Sequence, residues 1–289
     1  LCDAKTPSPF CQQNLYGAPK KLASGLQIAP IVLKNQGVVL DSVESFFFFF
    51  CGRFLIINGI YTQTNNHEIV IRHTWGGHSS STLPSTAALF AASVQSRQRL
   101  PAAYVSMGGY DATVGIIPLT RIADGNVLLR ALQPGTLNPE ESRDNQQRFF
   151  SAKTEARLAA ARSARLQRLS QTKNPRRIEE AIRSFREARE ESDGFSVLAK
   201  LLPSKLVEVG EACPKLPSGY VDYELRTTLQ SIQLALTAFQ SGQAASASIA
   251  SYGFDTHAGH DDAHPRALGR LLLSIRYLLA QAQALGIAN

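Results

Sequence analysis

Five consecutive phenylalanines, Phe46–Phe50, open the most apolar stretch of the chain, which runs to Ile60. Arg53 divides this stretch into two pieces, each shorter than the roughly 20 apolar residues that a membrane-spanning helix needs. We therefore expect no transmembrane helix. We interpret the first piece as a buried helix end and the second, Phe54–Ile57, as a core strand. A patch that binds a membrane surface is the alternative interpretation.

The size and composition of the chain predict one large folded domain. A content of 44% hydrophobic residues is too high for a disordered chain. A folded chain of 289 residues buries roughly three quarters of its unfolded surface. The formal net charge of +7 permits anionic partners without naming one. Four cysteines form no C-x-x-C pair, which excludes the common structural zinc sites.

Short apolar runs alternate with helical patterns along most of the chain. Residues 1–45 lack a sustained period and read as a surface segment, and Asn58–His78 reads as a polar loop. Strands are predicted around Phe54–Ile57, Ala103–Ser106 and Ala244–Ser251, and helices around Thr86–Gln98, Tyr223–Gln240 and after Asp261–Asp262. This alternation is typical of an α/β fold with a mostly parallel sheet.

Residues 139–202 have a different composition and predict a helical insertion into the single domain 1–289. Between Glu140 and Glu191 there are 13 Lys and Arg against nine Asp and Glu, which is over half of the chain's excess charge. Basic and acidic residues are interleaved at helical spacing, which favours a solvated helical hairpin over a nucleic-acid-binding arm. Nucleic acid is therefore not a clear partner.

All six histidines fall in two short segments, and the long stretch between these segments contains none. Imidazole is the commonest metal ligand and titrates near neutral pH. Each segment follows a predicted strand, so both can meet at one end of a sheet. The clustering predicts one composite site, whereas chance accumulation of histidine in polar loops is the alternative. The six are His67, His73, His78, His257, His260 and His264.

Asp255 and His257 are separated by one residue, and in an extended loop such side chains point the same way. Together they offer one cation an oxygen and a nitrogen ligand, although Asp at a strand end is also a common turn residue. In the other segment, Thr64 and Asn65 can bind an anion or hold a hydroxyl near a metal. An Asx-type turn network is the structural alternative there.

Arg72 and two histidines are further candidates around these two segments. The guanidinium of Arg72 suits an anionic oxygen of a substrate. His73 follows it directly, and His264 lies one helical turn after His260, so that the two can share a helix face. We include His73 and His264 as additional candidate site residues.

Several strings of this chain resemble an exported bacterial family. I-N-G-x-x-x-Q-T-N-N-H begins at Ile57, R-H-T-W-x-G begins at Arg72, and G-F-D-T-H begins at Gly253 and leads into a long amphipathic helix. These strings are similar to those of the domain of unknown function 1501, a branch of the alkaline phosphatase/sulfatase superfamily. Cys2-Asp3-Ala4-Lys5 resembles a C-D-P-K motif near that family's start.

The resemblance implies an alkaline phosphatase-like sandwich with a two-metal site at the carboxyl ends of its strands, and an exported or periplasmic location. It implies that Asp255 and His257 are metal ligands and that the Thr64–His67 loop is the nucleophile region. We include His67 as a third candidate metal ligand. Family members often have Ser where this chain has Asn66. Because an amide cannot be the nucleophile, Thr64 is the candidate in this chain.

Three motifs of the family have no counterpart in the printed sequence. Its early G-G-x-D ligand would precede Leu1, and its S-E-F-G-R and D-H motifs would follow Asn289, so we expect an incomplete sheet and metal site. We therefore expect a hydrolase of small phosphate or sulfate esters that uses zinc, manganese or calcium and lacks part of its metal site here. A non-catalytic binding or structural module with the same fold is the alternative.

Overall fold

The computed structural model describes residues 20–55, 64, 66–79, 82–122, 136, 137, 147–171, 175, 178, 179, 206–256 and 258–287. They group into two compact units. One is drawn from Leu1–His73, Val207–Gln233 and Ile249–Asn289, and the other from Thr74–Leu206 and Leu234–Ser248. The single domain with an insertion over residues 139–202 stays a prediction.

Two antiparallel hairpins open the first unit. β1 (Lys20–Lys21) pairs with β2 (Gln27–Ile28), and β3 (Val32–Asn35) pairs with β4 (Val38–Ser42). The second hairpin turns through Gln36 and Gly37, whose φ angles are 49° and 79°. Two positive φ values in a row give the turn that matches the twist of paired strands. The interpretation of residues 20–42 as an unpatterned surface segment was therefore wrong.

Helix α1 (Val43–Phe50) carries the five phenylalanines directly after β4. Ser42 caps it by accepting the Ser45 N–H at 3.1 Å. Phe46 is 1% exposed and packs in the core of the first unit, whereas Phe48 and Phe49 are 72% and 67% exposed. The predicted helix is confirmed, but only one of its five rings is fully buried.

The strand predicted over Phe54–Ile57 is absent from its described part. A 3₁₀ turn (Cys51–Arg53) ends the helix. Phe54 then folds back so that its ring centroid lies 5.3 Å from that of Phe46, and Leu55 is 86% exposed. The Phe54 ring therefore packs on α1, and this residue does not pair with a strand. Ile56 and Ile57 lie outside the described residues.

Helix α7 (His260–Ala284) packs on the β3–β4 hairpin and completes the core of the first unit. The contact is close because Gly269 faces the hairpin: a Cβ at this position would lie 3.2 Å from the Cβ atoms of Leu33 and Leu40. Leu272 is buried in the same core as Phe46. The predicted amphipathic helix after Asp261–Asp262 is confirmed.

Arg276 of α7 ties this helix to the phenylalanine helix. Its Nε donates to Asp41 Oδ2 at 2.5 Å, and its Nη2 donates to Ser45 Oγ at 3.1 Å. The guanidinium carbon also lies between 5.2 and 5.7 Å from the ring centroids of Phe46, Phe49 and Phe50. Cation–π attraction of this kind stabilises the aromatic helix against α7.

A buried polar cluster joins β3, α7 and the start of helix α6 (Tyr223–Gln240), which follows a short helix α5 (Val209–Ala212). Asp222, with a side chain 1% exposed, accepts from Arg270 Nε at 2.8 Å. It also accepts from Asn35 Nδ2 at 2.8 Å and caps α6 by accepting the Leu225 N–H at 3.1 Å. Every oxygen of this buried carboxylate is therefore satisfied.

The second unit is organised around a three-stranded sheet in the order β6-β5-β7. β5 (Tyr104–Met107) runs parallel to β6 (Leu119–Arg121), and β7 (Ser246–Ile249) lies on its other side. The strands predicted around 103–106 and 244–251 are confirmed. Helices combined with a parallel sheet agree with the predicted α/β class.

Helix α3 (Thr86–Gln95) covers this sheet, capped by Ser85, which accepts the Ala88 N–H at 3.2 Å. The Ser85 hydroxyl also contacts the buried hydroxyl of Tyr104 at 3.2 Å. Tyr104 in turn contacts Ser248 Oγ at 2.7 Å, so one tyrosine links α3, β5 and β7. The helix predicted over Thr86–Gln98 is confirmed with a slightly earlier end.

Two further helices have little buried surface. α4 (Ala152–Gln171) lies within the predicted insertion, and nearly all of its described side chains are exposed, as expected for a solvated charged helix. α2 (His67–Gly76) occupies much of the segment interpreted as a polar loop, so that interpretation was wrong for these ten residues. No helix in the described part of the chain is both long and apolar enough to span a membrane.

Replacing Gly269 by alanine should destabilise the first unit. Alanine gains about 1 kcal/mol of helix propensity. However, its methyl group would lie 3.2 Å from the Cβ atoms of Leu33 and Leu40, so the hairpin would have to move away from α7. Overpacking of this kind costs about 1–3 kcal/mol. We expect a net decrease of about 1 kcal/mol in the free energy of unfolding, measured by urea titration. Gly210→Ala is the matched control, because nothing lies within 4 Å of its Cβ position.

Asp222 should make the folded state sensitive to acid. Burial acts to raise the pKa of Asp222, but the Leu225 N–H and Arg270 outweigh burial and hold that pKa below its ordinary value. A lowered folded-state pKa stabilises the protein above the unfolded value of about 3.9, and this stabilisation is lost as the pH falls through the folded-state pKa.

Asp222→Asn keeps a cap for α6 but removes the buried one of the two carboxylates that pair with Arg270, the other being Glu224. We expect the free energy of unfolding at pH 7 to fall by about 3 kcal/mol, and the variant to lose less stability than wild type between pH 5 and pH 3. Urea titrations at several pH values measure both effects. Asp262→Asn, an exposed position on α7, is the control. Parallel pH curves for Asp222→Asn and wild type would contradict the assignment.

Candidate functional site

The two histidine segments meet where His67 faces Asp255. His67 is the first residue of α2, and Asp255 lies in the loop between β7 and α7. His67 Nε2 and Asp255 Oδ2 are 3.4 Å apart, and both side chains are more than half exposed. Two of the residues predicted as metal ligands are therefore neighbours in space although they are far apart in the sequence.

The separation of these two atoms fits a shared cation. Nitrogen and oxygen ligands bind zinc at about 2.0–2.2 Å in tetrahedral geometry. Two corners of such a tetrahedron are about 3.3–3.5 Å apart, which matches the observed distance between His67 Nε2 and Asp255 Oδ2. The same distance also suits a weak ion pair with a protonated imidazole.

Three contacts with α7 hold the loop that carries Asp255. Gly253 adopts φ 90°, and its Cβ position lies 3.8 Å from the Cβ of Ala267. The ring of Phe254 meets that of His264 edge-on, at 5.8 Å between centroids. Thr256 Oγ1 lies 2.6 Å from His260 Nδ1. The loop residues on both sides of Asp255 are therefore fixed to one helix.

Thr64 and Asn66 have local structural roles before α2. The Asn66 N–H donates to Thr64 Oγ1 at 3.1 Å, and the Ile69 N–H donates to Asn66 Oδ1 at 3.1 Å. The second bond is an N-cap of α2. These contacts form the turn network that was the alternative to a nucleophile loop, and Thr64 is partly buried within it.

Arg72 also pairs within its own helix. Its Nη2 donates to Glu68 Oε2 at 3.0 Å, one turn earlier on α2. His73 follows on the same helix and is exposed. Pairs of this kind on a helix surface contribute only a few tenths of a kcal/mol, so a substrate anion can compete for the guanidinium. Asn65 and His257 lie outside the described residues.

His264 and His260 lie together in the first two turns of α7. Their ring centroids are 4.9 Å apart, with an angle of 33° between the ring planes. Burial lowers the pKa of His264, and the neighbouring His260 lowers it further. The neutral imidazole, which is the form that binds metals, is therefore favoured at His264. Among the described residues, no group of three or more His, Cys, Asp or Glu gathers around one point.

A second polar cluster, which the sequence did not single out, follows β5 in the other unit. Ser106 Oγ donates to Asp111 Oδ2 at 2.7 Å, and Arg121 at the end of β6 binds both carboxylate oxygens at 2.9 and 3.0 Å. Burial acts to raise the pKa of Asp111, but Arg121 and Ser106 hold it below its ordinary value. The sequence could have indicated this cluster, because polar residues that follow parallel strands often form sites and both β5 and β6 end here.

The chain was compared with family models, curated proteins and solved structures, and none of the three comparisons finds a match.

The capping role of Asn66 gives a direct test. Asn66→Ala removes the acceptor for the Ile69 N–H, and loss of a helix N-cap costs about 1 kcal/mol. Asn66→Ser should retain most of the stability, because serine caps helices about as well as asparagine. Thermal unfolding of both variants followed by circular dichroism measures the difference. Equal destabilisation by alanine and serine would show that the amide has another role.

Proposed function

We propose that this protein is a metal-dependent hydrolase of phosphate or sulfate esters with an alkaline phosphatase-like fold, and that His67 and Asp255 hold its divalent cation. The observation that carries the proposal is the 3.4 Å separation of His67 Nε2 and Asp255 Oδ2. A carboxylate and an imidazole suit zinc or manganese better than an all-oxygen site would. His257, which follows Thr256 in the sequence, is the third ligand of the proposal.

In this proposal His67 and Asp255 would hold a cation, which would supply Lewis-acid polarisation of the ester and a lowered pKa for a bound water or hydroxyl group. The chain's own residues then orient the substrate. Arg72 attracts the anionic ester oxygens in place of the exposed carboxylate of Glu68. Thr64 lies two residues before the cap of α2, where its hydroxyl is the candidate nucleophile. The resemblance described for the sequence supports export to the periplasm as part of the same proposal.

A non-catalytic module with the same fold is the second candidate. It is favoured by the local partners of both candidate catalytic side chains, because Thr64 accepts from Asn66 and Arg72 pairs with Glu68. Residues that stabilise a helix start and a helix surface need no substrate to account for them. This candidate keeps metal binding at His67 and Asp255 and omits turnover.

Calorimetric titration of the purified chain with Zn²⁺, Mn²⁺ and Ca²⁺ tests the cation site. We expect Asp255→Ala and His67→Ala each to weaken binding by about tenfold or more, since each removes one of few ligands. Asp262→Ala and His78→Ala are matched controls, because both are exposed and lie outside the proposed ligand set. Unchanged binding in Asp255→Ala would overturn the site.

Hydrolysis of p-nitrophenyl phosphate and p-nitrophenyl sulfate in the presence of the same ions separates the two candidates. Turnover that Thr64→Ala abolishes and Thr64→Ser retains would establish the hydrolase. Metal binding with no turnover on either ester would favour the non-catalytic module.

A further inference from the structure

The first two turns of α7 contain a second arrangement of metal-binding side chains. His260 and His264 are four residues apart on a helix, so their side chains project from the same face. Their rings are in contact, with centroids 4.9 Å apart. Two histidines at this spacing are the standard helical pair for one zinc ion. We propose that His260 and His264 form a separate site for a borderline divalent ion such as Zn²⁺, Ni²⁺ or Cu²⁺.

The ring of His260 is already oriented in the way that metal-binding histidines are. Thr256 Oγ1 lies 2.6 Å from His260 Nδ1. A metal-bound histidine usually has an oxygen partner on its second ring nitrogen, which fixes the ring and raises the basicity of the coordinating nitrogen. A ring held at Nδ1 coordinates through Nε2, so Thr256 plays the part of this oxygen partner.

The environment of His264 favours the same chemistry. The side chain is partly buried, and the edge of the Phe254 ring packs against it at 5.8 Å between centroids. The Phe254 ring therefore restricts the orientations that the His264 imidazole can adopt.

The first turns of α7 lack some of the hydrogen bonds that usually stabilise a helix start, so a bound ion can stabilise them further. Gly259 at the N-cap adopts φ 61° and makes no side-chain capping bond. Pro265 lies inside the helix and has no N–H to donate to the carbonyl of Asp261. One ion bridging His260 and His264 would close this turn from the outside, so metal binding should stabilise the start of the helix.

This site is distinct from His67 and Asp255. Among the described residues no three candidate ligands converge on one point. The ligand types also differ. Two imidazoles select Zn²⁺, Ni²⁺ and Cu²⁺ and discriminate against Ca²⁺ and Mn²⁺, which prefer oxygen ligands. The inference therefore does not depend on the proposed hydrolase activity.

Calorimetry on the full chain without a histidine tag tests the inference with Ni²⁺ and Ca²⁺ as probes. We expect Ni²⁺ to bind and Ca²⁺ not to bind at this site. His260→Gln and His264→Gln should each weaken Ni²⁺ binding by about tenfold or more. The exposed control His78→Gln should leave this binding event unchanged. Ni²⁺ affinity equal to wild type in His264→Gln would overturn the inference.

The remaining outcomes separate the two sites. If Asp255→Ala and His67→Ala abolish Ni²⁺ binding while both α7 variants retain it, the present inference fails and the proposed function stands. If all four variants lose binding, one shared ion is bound and the separate site is disproved. NMR of the unsubstituted chain guards against misfolded variants: substoichiometric Ni²⁺ should broaden the imidazole signals of His260 and His264 together. Broadening of neither signal would contradict the site.

Discussion

The buried carboxylate of Asp222 holds together the main elements of the first unit. Its side chain is 1% exposed, and a buried charge of this kind is tolerated only when it is paired and fully hydrogen-bonded. Arg270 supplies the opposite charge, Asn35 supplies a donor, and the Leu225 N–H supplies the helix cap. One carboxylate therefore fixes α7, the β3–β4 hairpin and the start of α6 with respect to each other, and the apolar contacts at Gly269 and Leu272 follow from that register.

The same helix then positions the loop that carries the candidate ligands. Gly253 passes over α7 with its Cβ position 3.8 Å from Ala267 and 4.0 Å from Arg270 Nη1. A side chain here would be strained by the positive φ of 90°. From this fixed point the loop reaches His264 and His260 in turn. The loop around Asp255 thus runs beside the same helix that pairs with Asp222 through Arg270.

Periodicity predicted the elements that bury one face and missed those that do not. α3, α6 and α7 were predicted near their observed bounds, α7 from its apolar repeat at three and four and α3 from an apolar run introduced by Pro84 and Ser85. α2 has no buried residue, so its sequence has no stripe to detect, and only the Asn66 cap marks its start. The β3–β4 hairpin was missed because its turn uses Gln36-Gly37 rather than Asn-Gly, and because apolar Val32 is exposed on β3 while polar Asn35 is buried.

Histidine clustering predicted that the two segments meet, but not how the donors are divided between them. That division lies in the loop Phe254–Thr256, whose successive side chains contact different helices. Phe254 and Thr256 contact His264 and His260 on α7, whereas Asp255 faces His67 on α2. The loop therefore separates an imidazole pair from a mixed carboxylate–imidazole pair. Because these contacts with α7 form only in the folded chain, composition alone could group the candidate side chains but not divide them into two pairs.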